Sequence, residues 1–204
     1  QFIKLPPEMT NSTEIQVVNG RIVFDGIVSA AKQALEQGIP VGLGTDSACP
    51  YVTQYDMWRE LVYFERIVGA SRQLALHAAT LGNASIIGLG DETGSIEVGK
   101  SADMIVLDAN PLDDLEALRN VRRVMVRGKF ADSLHVKHLP ELDRELDKFL
   151  PRERIRDGAV SRVMVRAWSW KTSDECGGLR SVCSGFAAVY IAYASRSGCL
   201  SSRV

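Results

Sequence analysis

The sequence predicts an α/β protein, and three observations carry that prediction. A helical apolar pattern over DGIVSAAKQALEQG closes on a glycine and runs straight into the short apolar stretch IPVGLGTD. A second amphipathic pattern, QYDMWRELVYFERIVG, follows it. Beyond Asp91 the apolar residues regroup into short runs separated by glycine turns, the punctuation of strands in a second layer.

Taken in order, the first twenty-five residues mix Pro6, Pro7, Asn11, Asn19 and Gly20 with short apolar pieces and read as irregular structure. From Asp25, which suits an N-cap, Ile27, Ala30, Ala31, Ala34 and Leu35 fall at helical spacing, and Gly38 ends the helix. IPVGL then reads as a parallel strand buried on both faces. In the next helix Met57, Leu61, Phe64 and Val68 form the inner side, with Arg59, Glu60, Glu65 and Arg66 turned to solvent and Gly69 as the stop. Ser71 caps RQLALHAAT, and LGNASIIGL adds a second short helix.

The segment DETGSIEVGKSADMIVLDANP carries turns at Gly94 and Gly99 and an apolar strand over Met104 to Leu107. LDDLEALRN offers one or two helical turns. VRRVMVRGK alternates valines with arginines before a turn at Gly128, which makes it another strand. LPELDRELDKFL places Leu139, Leu142, Leu146 and Phe149 on one helical face. From Arg154 onward arginine outnumbers lysine seven to one, and Ser, Cys, Gly and Trp become frequent without clear periodicity. Two readings of this tail stand side by side: foreign or out-of-frame sequence, or an extension that packs Trp168, Trp170 and FAAVYIAYA onto the body.

Composition narrows the function. The 204 residues are 46% apolar, enough for a core, and 24 basic against 25 acidic side chains give a formal charge of -1. No strong field favours nucleic acid or an acidic membrane. The apolar, uncharged stretch Ser181 to Ser195 is shorter than the roughly 20 residues of a membrane-spanning helix. Cys49, Cys176, Cys183 and Cys199 form no CxxC pair and are too sparse for a disulfide scaffold. The expectation is a cytoplasmic protein with neither nucleic acid nor membrane as partner.

The chemistry-bearing residues are GLGTDS, Gly42 to Ser47. Polar residues just past the carboxyl ends of parallel strands line active sites in β/α proteins, and Asp46 stands there after IPVGL. A carboxylate in that position can ligate a metal or carry a proton to and from a bound water. Its plainer role is to cap the next segment or hold a turn. The loop Ser47 to Gln54 would overhang such a site. His77 reads as an ordinary helix histidine, and His135 and His138 as a solvated i, i+3 pair. GLGTDS opens neither a GxGxxG nor a GxxxxGK[ST] motif and no GxSxG occurs, so a phosphate-binding turn there and a serine nucleophile lack support.

The order GLGTDS, a helix around WREL, LALHAATLGNASIIGLGDETGSIEVGKSADMIVLDANPL and VRRVMVRGK resembles the C-terminal portion of the metal-dependent amidohydrolase superfamily. Within it, the likeness is to the imidazolonepropionase-like and Xaa-Pro dipeptidase-like group, over Gly26 to Lys129. The resemblance implies the last units of a (β/α)₈ TIM-like barrel over residues 1–90 and part of a small β-sandwich subdomain over 91–132. A C-terminal helix over 133–150 and the tail over 151–204 complete the chain.

It further implies that Asp46 binds a divalent metal, one or two zinc-like ions, and activates the hydrolytic water for cleavage of an amide or cyclic C–N bond. The HxH pair, the mid-barrel bridging residue and the two later histidines of that group are absent from this sequence. The expectation is therefore the C-terminal portion of a larger hydrolase, with most metal ligands outside this chain, inactive alone and prone to self-association as a homo-oligomer. The rival class is a truncated, non-catalytic module that serves interaction or assembly, and metal content separates the two.

Overall fold

A computed structural model of the chain describes residues 14–47, 52–134, 136–153, 190–194 and 200–201. The prolines at 6 and 7, the four cysteines, His135, Trp168 and Trp170 lie outside them, as do residues 48–51 of the loop after Asp46.

Helix α1 spans Glu14–Glu36, eleven residues more than the pattern from Asp25 gives at its start. Asp25 is thus a mid-helix residue and not an N-cap. Ile15, Val18, Ile22 and Val23 continue a helical apolar pattern ahead of it, and one internal glycine costs only about 1 kcal/mol against alanine. The helix stops where expected: Gly38 takes φ 68°, with its N–H on the Leu35 carbonyl and the Ile39 N–H on that of Ala34. Residues 39–46 that follow are extended but form no strand ladder. Val41 and Leu43 pack on the core, whereas Ile39, Gly42, Gly44 and Asp46 are exposed. The expected strand, buried on both faces, is a one-sided segment because no neighbouring strand pairs with it among the described residues.

Helix α2 (Met57–Tyr63) continues as a π-helical turn over Phe64–Val68 and ends at Gly69 with φ 95°. Ser71 caps α3 (Arg72–His77), its Oγ accepting from the Leu74 N–H at 3.1 Å. A second π-helical turn, Ala78–Gly82, joins α3 to α4 (Asn83–Ile86) without a break, so the expected pair of helices is one continuous helical stretch. Trp58, Leu61, Val62, Phe64, Ala75 and Leu76 from these helices form the core together with Leu107, Leu115 and Leu118.

Arg59 and Arg66 are buried, 4% and 7% exposed, which corrects their expected solvent position. Each is turned inward by carboxylates from the second half of the chain. Arg66 donates to Glu116 at 2.7 Å, to Asp114 at 3.2 Å and to the Pro151 carbonyl at 2.6 Å. Arg72 adds bonds to the carbonyls of Leu112 and Asp113.

The β layer is one mixed sheet in the order β3-β2-β1-β4-β5. Strand β1 (Met104–Leu107) pairs antiparallel with β2 (Val121–Val126), after a 3₁₀ turn over Leu115–Arg119. β2 turns at Gly128 into β3 (Lys129–Phe130). On the other edge β4 (Tyr190–Ala194) runs parallel to β1, Met104 opposite Tyr190, and pairs antiparallel with β5 (Leu200–Ser201). Among the described residues this is a single sheet, not two packed layers of a sandwich. Helix α5 (Pro140–Asp147) returns to the helical layer and buries Leu146. Among the described residues no helix is long and apolar enough to cross a membrane.

Candidate functional site

Asp46 sits at the far end of the extended segment, exposed, with its backbone in the left-handed region at φ 51°. A non-glycine residue there is uncommon, and the aspartate side chain tolerates it better than most. Val41, Leu43 and Thr45 are half-buried while Gly42, Gly44 and Asp46 are exposed, so Asp46 belongs to the solvent-accessible set of this alternation.

Three residues before Asp46, the backbone of Leu43 is held by a side chain. The Asn83 Nδ2 donates to the Leu43 carbonyl at 2.8 Å, and the Leu43 N–H donates to Asn83 Oδ1 at 3.0 Å. Sequence reasoning missed this residue. Its signal was a polar amide inside the apolar stretch LGNASII, where an unpaired carboxamide would be costly.

After the loop, Thr53 donates to Asp56 at 2.7 Å, and Tyr55 bridges to α5. The Tyr55 hydroxyl donates to Asp143 Oδ1 at 3.2 Å and accepts from the Leu139 N–H at 2.9 Å. The His138 ring lies 4.3 Å from that of Tyr55, and its Nδ1 is 3.7 Å from Asp143 Oδ2. Burial, the largest influence, pushes the Tyr55 hydroxyl up, and the neighbouring Asp143 carboxylate adds to this. The chain returning from the candidate site is thereby tied to the C-terminal helix through the Tyr55 hydroxyl, with His138 exposed beside it as the sequence suggests.

A divalent ion needs several oxygen or nitrogen donors. Among the described residues no three His, Cys, Asp or Glu side chains gather into a set that could hold one. His77 is exposed on α3, and His138 belongs to the Tyr55 and Asp143 group. Asp46 can offer a single carboxylate, so the described residues do not make a metal site by themselves.

Comparison with known proteins gives four consistent likenesses. The Amidohydrolase family profile matches residues 24–131. An imidazolonepropionase of Syntrophobacter fumaroxidans is 45% identical over 80 residues, 38% of this chain and 18% of that protein. A 5-methylthioadenosine/S-adenosylhomocysteine deaminase of Teredinibacter turnerae is 38% identical over 86 residues, again 38% of this chain and 19% of the relative. Among solved structures, a candidate prolidase from Bifidobacterium longum superposes with a TM-score of 0.67 at 46% identity, covering 72% of this chain and 36% of that one. The chain spans about a fifth of the length of the curated relatives it matches.

Proposed function

The chain belongs to the amidohydrolase family, and on that premise we propose that it is the C-terminal portion of a metal-dependent hydrolase acting on amide or cyclic C–N bonds of a small molecule or dipeptide. The observation that carries this reading is the place of Asp46, exposed at the carboxyl end of an extended segment inside the matched region. Ligands in β/α enzymes bind at that end of the strands.

In this reading Ile39 to Thr45 is the last strand of a (β/α)₈ barrel whose other strands lie outside the described residues. Two features support it: no strand pairs with the segment among the described residues, and α1 carries exposed Ile15, Ile22 and Ile27 beside its buried Val28. The family further implies a divalent metal, zinc or a similar ion, with most of its ligands outside this chain; when bound, it would supply an acidified water. What this chain contributes is the Asp46 carboxylate, held at a fixed place to take up a proton and pass it to the leaving nitrogen. Residues 1–90 are then barrel units, 91–132 the β subdomain, 133–150 the closing helix and 151–204 a tail.

The test is turnover by the complete enzyme on three probes drawn from its relatives: an imidazolone, an Xaa-Pro dipeptide and an adenine nucleoside. Asp46→Asn should lower turnover of the accepted probe by roughly 10²- to 10⁴-fold, the scale of a lost general base. Unchanged turnover in that variant would refute the assignment.

A further inference from the structure

Leu43 stands between Gly42 and Gly44, two residues whose backbones are less restrained than any other. A segment so built does not hold the residue after it in one place unless something locks its middle. Asn83 does so. Its carboxamide pairs with both backbone groups of Leu43, at 2.8 and 3.0 Å, and imitates the exchange that a neighbouring strand would make. Two bonds to one residue fix its rotation as well as its position, which a single bond does not.

The packing around this pair is close. A Cβ on Gly42 would lie 2.4 Å from Asn83 Oδ1 and 3.2 Å from Ile86 Cδ1, so α4 approaches the segment where the chain carries no side chain. Beyond Leu43, only Gly44 and Thr45 separate the clamped residue from Asp46 in its left-handed conformation.

We propose that Asn83 is a positioning residue for Asp46, setting the place of its carboxylate through the backbone of Leu43. The catalytic part of this statement rests on the reading of Asp46 given above; the positional part does not.

The experiment follows the Leu43 amide and the Asp46 carboxyl carbon by NMR in the full 204-residue chain. Asn83→Ala should shift both signals, and Ser85→Ala, on the same helical turn, should shift neither. Asn83→Ser is too short to span both Leu43 groups and adds no charge, so it should shift the two signals in the same sense, and it serves if the alanine variant does not fold. A displaced Leu43 amide with an unmoved Asp46 carboxyl in either variant overturns the proposal and leaves Asn83 a simple staple.

In the complete enzyme, Asn83→Ala should lower kcat about 10- to 100-fold with KM within about twofold, the effect of a misplaced reacting group. If the Asp46 signal moves but neither Asn83→Ala nor Asp46→Asn changes turnover, the positioning stands and the catalytic reading of Asp46 falls.

Discussion

Arg59 reaches from α2 to Asp147 at the end of α5, its Nη2 2.7 Å from the carboxylate Oδ1. The same guanidinium lies 3.2 Å from Asp56 through Nε and 4.4 Å above the Trp58 ring, while Asp147 also takes Arg119 at 2.8 Å. One buried cation thus joins the helical layer, the 3₁₀ turn and the C-terminal helix. Removing it leaves the buried Asp56 without its cation, and breaking a buried pair costs about 3–5 kcal/mol. Arg59→Ala should lower stability by about 3 kcal/mol, since Asp147 is partly solvated and keeps Arg119. A urea midpoint unchanged from that of the parent chain would contradict this.

Glu60, the next residue, gives the chain a pH dependence. Burial pushes its carboxyl from 4.5 up to about 7. The unfolded chain therefore ionises first as pH rises, while the folded chain keeps the proton. Stability is greatest below about pH 4.5 as far as this group is concerned, falls between 4.5 and 7, and levels off above. The loss is about 3 kcal/mol from 1.36 kcal/mol for each pKa unit. Glu60→Gln should flatten that decline and raise the midpoint at pH 8, measured by urea titrations at pH 5, 6, 7 and 8. Tyr63, pushed up to about 12 mainly by burial, stays neutral throughout this range.

Gly94 and Gly99 make a matched pair. Both have positive φ, 97° and 92°, but a Cβ on Gly94 would fall 2.7 Å from the Ala84 Cβ and 2.8 Å from the Leu81 Cα, whereas one on Gly99 meets open space. Gly99→Ala should cost only the left-handed backbone, about 1–2 kcal/mol. Gly94→Ala adds an overpacking cost of about 1–3 kcal/mol. Thermal melting of the two variants should separate them clearly; equal losses would mean that the turn moves freely away from the helix.

The outer face of α1 predicts association. Ile15 is 72% exposed and Ile22 63%, with Val18, Val23 and Ile27 beside them. A helix with so large an exposed apolar surface expects cover. The isolated chain should sediment as a concentration-dependent oligomer, and replacing Ile15, Ile22 and Ile27 by lysine should shift it toward monomer. A parent chain that is monomeric across the concentration range would sink this.

Local elements were legible where their punctuation was local. Gly38, Gly69, Ser71 and Gly128 act as stop, stop, cap and turn as their residue types dictate. The polar end of the run at Asp46 was legible as the place where the apolar segment stops. What could not be read were long-range facts. Arg59 and Arg66 look like solvent residues on a helical wheel, and only Asp147, Glu116 and the Pro151 carbonyl, far along the chain, explain their burial. The strand over IPVGL has the right residues, but a strand also needs a partner, and Asn83 stands in for one on a single residue. The early start of α1 was hidden by Asn19 and Gly20, whose low helix propensity reads as a break in the pattern.

The sheet brings together pieces of very different sequence separation. β2 and β3 meet through a two-residue turn and β1 reaches β2 across one short 3₁₀ connection, whereas β4 joins β1 from Tyr190 back to Met104. Near contacts form quickly, and distant ones wait for a large loop to close. The three-stranded part should therefore assemble first and offer the free edge of β1 as a template. The strand from the C-terminus arrives last, so a nascent chain passes through a stage in which that edge is open to any extended segment nearby, including the same strand of a neighbouring copy.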